Sequence, residues 1–317
     1  MAVLVTGGTG FIGAHVVKEL LDQGERVVAF DYIHQNVLST LFSPEQIKEA
    51  VIVDGDASDL GQVARAMIDH RVDRIVHLAS WLHPYCNDNP GKCAIQGNIV
   101  SQQVVLEAAR IFPVKKLVWA SSCVVFGPRE KHPLLPVPND ADHYPVNNYG
   151  ATKSFAEMLT KNFDSMWNVD TLGLRFTIVY GPGRVRGASR FFNDAVMNVA
   201  VGKPGEVLFS DDTIDWQYVK DIARLVIKCL RVGRTKNRVF NTMCDVRSVR
   251  EGVDYLRKLF PEADISLKPG QFGIVWECDD SALQEEIGFR PEYTMEKGIL
   301  ETVRFARERA GLPPMGA

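Results

Sequence analysis

The chain has 317 residues, with 36 basic and 39 acidic side chains and a net charge of -3. That length suits one large α/β unit or two lobes, and the near balance of charge gives no electrostatic case for a nucleic-acid or anionic-membrane partner. The hydrophobic share of 46% is ordinary for a soluble protein, and no apolar run nears the ~20 residues of a membrane span.

Met1-Ala-Val-Leu-Val-Thr enters a strand at once, which leaves no room for a signal peptide. The expected location is therefore the cytoplasm. Cys86, Cys93, Cys123, Cys229, Cys244 and Cys278 form no Cys-x-x-Cys pair and have no His at zinc-ligand spacing, so reduced thiols and no metal are expected.

Val3-Leu4-Val5 leads into Thr6-Gly7-Gly8-Thr9-Gly10-Phe11-Ile12-Gly13. A helical stripe of Val16, Val17, Leu20 and Leu21 follows, with Gly24 at its end, and then a strand, Val27 to Phe30, ending at Asp31. Glycines at a strand-to-helix turn leave backbone N–H groups and the helix N-terminus to receive a pyrophosphate. Asp31 lies where a carboxylate binds the adenosine ribose hydroxyls. It would repel a 2′-phosphate, and no Arg or Lys occurs from Tyr32 to Thr40, so NAD is expected rather than NADP.

Val51-Ile52-Val53 is the next strand. Asp56 beyond it either holds the adenine edge, next to Ala57, or caps the helix from Leu60 to Asp69. A further buried strand runs from Arg74 through His77, Leu78, Ala79 and Ser80, its C-terminal end open toward the cofactor cleft. His77, inside the strand, reads as a structural hydrogen-bonding residue. The aromatic loop from Trp81 through His83 and Tyr85 to Cys86 is a candidate pocket wall.

A helix is expected from about Asn98 to Phe112, with apolar residues nearly all round. Leu117 to Ala120 is a strand ending at Ser121-Ser122-Cys123. Either a hydroxyl there holds a substrate oxygen or the serines satisfy a local turn. After a long proline-rich loop, Tyr149-Gly-Ala-Thr-Lys153 opens a helix to about Trp167 that again has apolar residues on more than one face.

Tyr149 and Lys153 share a helical face. At ~4 Å and an effective dielectric near 20, a phenolate and an ammonium attract by about 4 kcal/mol, enough to bring a tyrosine from near 10 to roughly 7 and suit it to proton transfer.

Thr171 to Phe176 reads as a strand and leads to Ile178 and Val179-Tyr180-Gly181-Pro182-Gly183. In the segment beyond, Arg184, Arg186 and Arg190 either bind a phosphate or carboxylate or form a solvated surface. From Ile214 the pattern reads as helix, with a stripe of Val219, Ile222, Ala223, Val226 and Ile227, before a strand at Val239-Phe240-Asn241.

Taken in order, these markers resemble the extended short-chain dehydrogenase/reductase superfamily and, within it, the NAD-dependent epimerase/dehydratase family. Asn98, Ser121-Ser122-x-x-x-Phe126-Gly127, Tyr149-x-x-x-Lys153 and Asp215-Trp216-x-Tyr218-Val219-x-Asp221 are part of that likeness, which covers nearly the whole length. It implies an α/β fold: a doubly wound parallel sheet (Rossmann) with a smaller mixed α/β substrate-binding lobe. The NAD-binding domain would be 1–176 with 214–242 returning to it, and the lobe would be 177–213 and 243–317.

The likeness also implies Tyr149 as acid/base, Lys153 lowering its pKa and binding the nicotinamide ribose, and Ser122 bonding the reacting oxygen. It further implies a homodimer through helices 98–112 and 149–167. Two departures bear on substrate: Ile178 stands where an Asn usually binds the substrate diphosphate, and Cys123-Val124 replace the Asp-Glu pair of dehydratases. Phe126 and Lys220, in place of Tyr and Asp, are minor. The expected function is NAD-dependent oxidation of a secondary alcohol, of sugar or sugar-acid type, in a pocket that includes Trp81, His83, Tyr85, Cys123, Ile178, Arg184, Arg186 and Arg190. A nucleotide-sugar epimerase is the alternative. A non-catalytic NAD-binding sensor is the reading from another class, opposed by the intact Ser122, Tyr149 and Lys153.

Overall fold

The computed structural model describes residues 1–32, 36–187 and 190–315. Seven parallel strands make the main sheet: β1 (Ala2–Thr6), β2 (Val27–Asp31), β3 (Ala50–Asp54), β4 (Val72–His77), β5 (Lys116–Ser122), β6 (Thr171–Phe176) and β10 (Val239–Asn241), in the order β10-β6-β5-β4-β1-β2-β3. The chain winds outward from β1 to β3, then returns beside β1 with β4, so the strand order reverses between β1 and β4. In a doubly wound sheet the ligand crevice lies at that switch point, outside the carboxyl ends of the strands.

The apolar runs make the interior for a physical reason. Val3, Leu4 and Val5 are fully buried because helices cover both faces of the sheet, and burial of each such side chain stabilises by about 1.5–3 kcal/mol. The helices Phe11–Asp22 and Val219–Arg231 pack together on one face, and Leu60–His70 with Ser101–Ile111 on the other.

A smaller lobe holds the strands β7 (Ile178–Tyr180), β8 (Gly205–Val207), β9 (Thr213–Tyr218), β11 (Val246–Ser248) and β12 (Ile265–Leu267). β9 pairs with β7 in parallel and with β11 antiparallel, and β8 pairs with β12. Its core includes Phe192, Trp216, Tyr218, Val253 and Ile299.

Two elements differ from the sequence reading. The helix expected from Asn98 begins at Pro90, as a π-helix over Pro90–Val100 that runs into Ser101–Ile111. Asn89 caps it through Lys92 N. Its wider turn carries Gly97 against the Trp81 ring, where an added Cβ would stand 2.2 Å from the nearest ring carbon. The segment from Ile214, read as helix, is strand β9 first; the helix starts at Val219, where the alternation of Ile214, Trp216 and Tyr218 gives way to a 3.6-residue stripe. Among the described residues, no helix is long and apolar enough to cross a membrane.

Candidate active site

A groove with a cavity volume of about 440 Å³ runs along the carboxyl ends of β1, β2 and β4 and reaches β5 and the lobe. At its outer end lies the glycine turn. Gly7 has φ +69°, and a Cβ there would lie 2.7 Å from Ala79 N; a Cβ on Gly13 would lie 2.0 Å from Gly7 O. Only glycine permits this approach of turn, helix and β4. The helix Phe11–Asp22 has Gly10 as N-cap, with no side-chain cap and no acidic residue in its first turn. Its leading N–H groups are therefore left to an anion.

Asp31 lines the groove, and its Oδ2 accepts from Thr9 N at 3.0 Å and Thr9 Oγ1 at 2.7 Å. The helix Leu60–His70 is capped by Asp59, whose Oδ1 accepts from Gln62 N at 3.1 Å. Asp56 instead accepts from Ser58 N and Oγ at 2.8 and 2.7 Å and, with Ala57, lines the groove. Phe11, Ile12, Leu78, Ala79 and Ser80 complete this part of the wall. A glycine cradle that any Cβ would fill, an uncapped helix N-terminus and a carboxylate at the end of β2 together fit a dinucleotide.

At the inner end, Ser122, Tyr149 and Lys153 line one wall. The helix Asn148–Trp167 is capped by Asn147, which accepts from Gly150 N at 2.9 Å, so Tyr149 sits in the first turn and Lys153 one turn on. Ser122 Oγ donates to Phe176 O at 3.2 Å, and Lys153 Nζ donates to Ala120 O at 2.8 Å. Asn98 accepts from Trp81 N at 2.7 Å and donates to Trp81 O at 2.9 Å and Thr152 Oγ1 at 3.2 Å, tying the aromatic loop to the Tyr149 helix.

The electrostatics depart from the expected ion pair. Lys153 Nζ is bonded to Ala120 O and lies over the Tyr149 ring, 5.6 Å from its centroid. Burial pushes the Tyr149 hydroxyl well above the usual tyrosine range. Hydrogen bonding with Ser122 opposes that rise, as does the charge of Arg184. The fall toward 7 expected from Lys153 is therefore absent from this arrangement, and the cation that acts on Tyr149 is Arg184. Lys153 itself is lowered to about 8, by burial first, against support from Cys86 and Glu157. Burial lowers His77 to about 3, and its Nδ1 lies 2.6 Å from Thr6 Oγ1, the structural role its place in the strand suggests.

Of the candidate substrate residues, Trp81, His83, Ile178, Arg184 and Arg186 line the cavity. Arg184 lies with its guanidinium 5.3 Å from the Phe11 ring centroid, and burial lowers it to about 10. Three candidates lie outside the wall. Tyr85 packs edge-on against Trp81 and is exposed. Cys123 is buried in the lobe core, where the chain leaves β5 for a 3-10 turn over Cys123–Val125. Arg190 opens the helix Arg190–Ala200 and is held by Asp194 at 2.6 Å, four residues on.

The structure adds Thr177, a neighbour of Ile178, and Phe272, Ile274 and Trp276, which lie far along the chain from every expected residue. The last three carried no local motif. His83 Nδ1 is buried in this wall without a hydrogen-bond partner, a place for a ligand donor or acceptor.

The fold and this groove define a dinucleotide-dependent α/β enzyme of the short-chain dehydrogenase/reductase type. Comparison with known proteins narrows this further: residues 3–242 match the model of the NAD dependent epimerase/dehydratase family, and the chain belongs to that family. It is 31% identical to a probable UDP-glucuronate 4-epimerase of Rhizobium meliloti, over 75% of this chain and 71% of that one. It is 28% identical to UDP-glucuronate 4-epimerase 1 of Arabidopsis thaliana, over 96% and 76%. A UDP-glucose 4-epimerase of Thermotoga maritima, solved with UDP-glucose, superposes with a TM-score of 0.86 at 25% identity, covering 98% of this chain and all of that one. The family's cofactor is NAD, and the groove has the parts to hold it.

Proposed function

We propose that this protein is an NAD-dependent oxidoreductase acting on a secondary alcohol of a sugar or sugar acid, with Tyr149 as acid/base. The observation that supports this most is the convergence of Ser122, Tyr149 and Lys153 at the inner end of the groove. NAD, when bound, supplies the hydride acceptor. Gly7, Gly10, Phe11, Ile12 and Gly13 receive its pyrophosphate, Asp31 the adenosine ribose hydroxyls, Asp56 and Ala57 the adenine, and Lys153 the nicotinamide ribose.

Ser122 donates to the substrate oxygen and fixes it beside Tyr149. The phenolate form of Tyr149 takes the hydroxyl proton as the carbon gives up hydride, and the phenol returns the proton in the reverse direction. Burial opposes that phenolate, so the positive charge of Arg184 acts to stabilise it.

A second reading, a nucleotide-sugar epimerase, draws support from Arg184 and Arg186, which both line the cavity and suit a diphosphate. The names of the related epimerases favour it, and Ile178 weighs against it, since a buried alkyl group replaces a donor there. Dehydration is disfavoured, because Cys123 and Val124 offer no carboxylate after Ser122.

We also propose a cytoplasmic homodimer. Ile111, Phe155, Met158, Met166 and Trp167 are exposed along the two helical segments expected to pair.

The test is NADH absorbance with excess NAD and a panel of sugars, sugar acids and nucleotide sugars, run beside Tyr149→Phe. A rise lost in the variant by three orders of magnitude, with NAD affinity kept, is the result expected. A flat trace accompanied by an isomerised sugar selects the epimerase. Full turnover by the variant refutes the acid/base role.

A further inference from the structure

One turn beyond Lys153, the same helix buries a carboxylate that the proposed chemistry does not use. Glu157 is 1% exposed. Its Oε1 accepts from Ser121 Oγ at 2.6 Å and Arg175 Nε at 2.9 Å, its Oε2 accepts from Arg175 Nη2 at 2.7 Å, and His143 Nε2 lies 3.4 Å from Oε2. Arg175 is in turn held from its other side, donating through Nη1 to Asn139 O at 2.7 Å and Asn241 Oδ1 at 2.9 Å.

Two of these partners, Ser121 and Arg175, adjoin groups at the reacting end. Ser121 precedes Ser122 at the end of β5. Arg175 precedes Phe176 at the end of β6, and Phe176 O is the acceptor for Ser122 Oγ. Lys153 donates to Ala120 O, so the two residues of β5 before Ser122 are gripped by two helix residues four apart: Ala120 by Lys153 and Ser121 by Glu157. Taking two charges out of water is costly, and an apolar pair of equal volume would often stabilise the fold as well or better. A charged clamp at this position therefore points to geometry at the site rather than to bulk stability.

We propose that Glu157 is a positioning residue that sets Ser122 and Lys153 against Tyr149, through Ser121 on one side and Arg175 on the other. This rests on the reading of Ser122, Tyr149 and Lys153 given above. The carboxylate also bears on Lys153 directly. The charged and titratable groups that face Lys153 are Glu157 and Cys86, which favour its ammonium form, Tyr149, whose phenol burial keeps neutral, and His77, which is buried and neutral. Those around Glu157 are Arg175 and His143, and His143 is flanked by Asp142 and Lys161. Without the Glu157 charge, Lys153 gives up its proton at lower pH.

The experiment is NADH affinity against pH, read from NADH fluorescence on purified protein, which needs no substrate. In the wild type, affinity is flat below about pH 8 and falls above it, where Lys153 deprotonates. In Glu157→Gln the break moves down, so that affinity falls several-fold at pH 8 and changes less than twofold at pH 6. Because Glu157→Gln leaves the Arg175 charge buried and unpaired, the double variant Glu157→Gln/Arg175→Gln is run as well, and it shows the same displaced break. Turnover on the sugar identified by the panel falls at least tenfold in Ser121→Ala with KM kept, while its NADH break stays in place. A lowered melting temperature with the break unmoved in both Glu157 variants would make the clamp structural only and overturn the proposal. Tyr149→Phe separates the two ideas: it keeps the wild-type break, and if it also keeps turnover, the acid/base reading fails while the Glu157 result stands on its own.

Discussion

Lys153 shows how far a single side chain's surroundings can alter what its position in a motif suggests. The i, i+4 spacing places it correctly beside Tyr149, but spacing does not reveal that Ala120 O takes its Nζ or that Arg184, from another element, supplies the positive charge that opposes the rise of the phenol. Arg190 is the converse case: its partner Asp194 is four residues on, a helical pair visible in the sequence once the helix start is known.

The Lys153 charge carries a testable cost. Its pKa is depressed from 10.5 to about 8, so below pH 8 the lysine is charged in both folded and unfolded chains and the folded state bears the burial penalty. Between pH 8 and 10.5 the unfolded chain binds the extra proton, and stability from this group rises with pH. The penalty is about 3 kcal/mol at 1.36 per pKa unit. Lys153→Met is expected to be more stable than wild type at pH 7 by up to that amount, less a lost hydrogen bond, with the advantage fading by pH 10.5. Urea unfolding at the two pH values measures it.

At the scale of elements, the glycine turn, the strand ending in Asp31 and the helix Asn148–Trp167 were legible because each is specified by neighbours in sequence. β9 was not, although Ile214, Trp216 and Tyr218 alternate as a strand should; the strong helical stripe that begins at Val219 overrode a short signal. Phe272, Ile274 and Trp276 left no mark that could be read in advance, since their place in the wall depends on how the lobe folds back over β5 and β7.

The helix Asn148–Trp167 also presents Phe155, Met158 and Met166 to solvent, Met158 at 54% and Met166 at 66% exposure. Spacings of three and eight residues place them on one stripe. If that stripe is the dimer face, Phe155→Glu with Met158→Glu yields a monomer in sedimentation while leaving the NADH affinity of the opposite, buried face within a few-fold. A monomeric wild type, or a double variant that stays dimeric, rejects the assignment.

For the whole molecule, two buried histidines set the acid limit. His15 is lowered to about 4 and His77 to about 3, both by burial first. His15 Nε2 donates to Pro182 O at 2.9 Å and so joins the first helix to the lobe's entry turn. Folded pKa values below the unfolded 6.5 mean that the unfolded chain takes up protons first as pH falls, so stability is lost from about pH 6.5 downward. At pH 4.5 each histidine accounts for about 2–3 kcal/mol of that loss at 1.36 per pKa unit. His77→Asn is expected to lose correspondingly less between pH 7 and 4.5 by urea unfolding, and an identical loss would show that His77 is not responsible.

Strand β10 has a consequence for how this protein comes into being. It enters the main sheet more than sixty residues after β6, its sheet neighbour, and its Asn241 binds the Arg175 guanidinium. A chain emerging from the ribosome therefore completes the glycine turn and the outer strands long before the strand that finishes the reacting end exists. Until residue 241 is out, β6 is an open edge and Arg175 lacks one of its anchors, a window in which a nascent chain is exposed to wrong pairing. A fragment ending at residue 187, which keeps every motif of the first half, is expected to be insoluble or to bind NADH far more weakly than the full chain, and a soluble fragment of undiminished affinity would contradict this order of assembly.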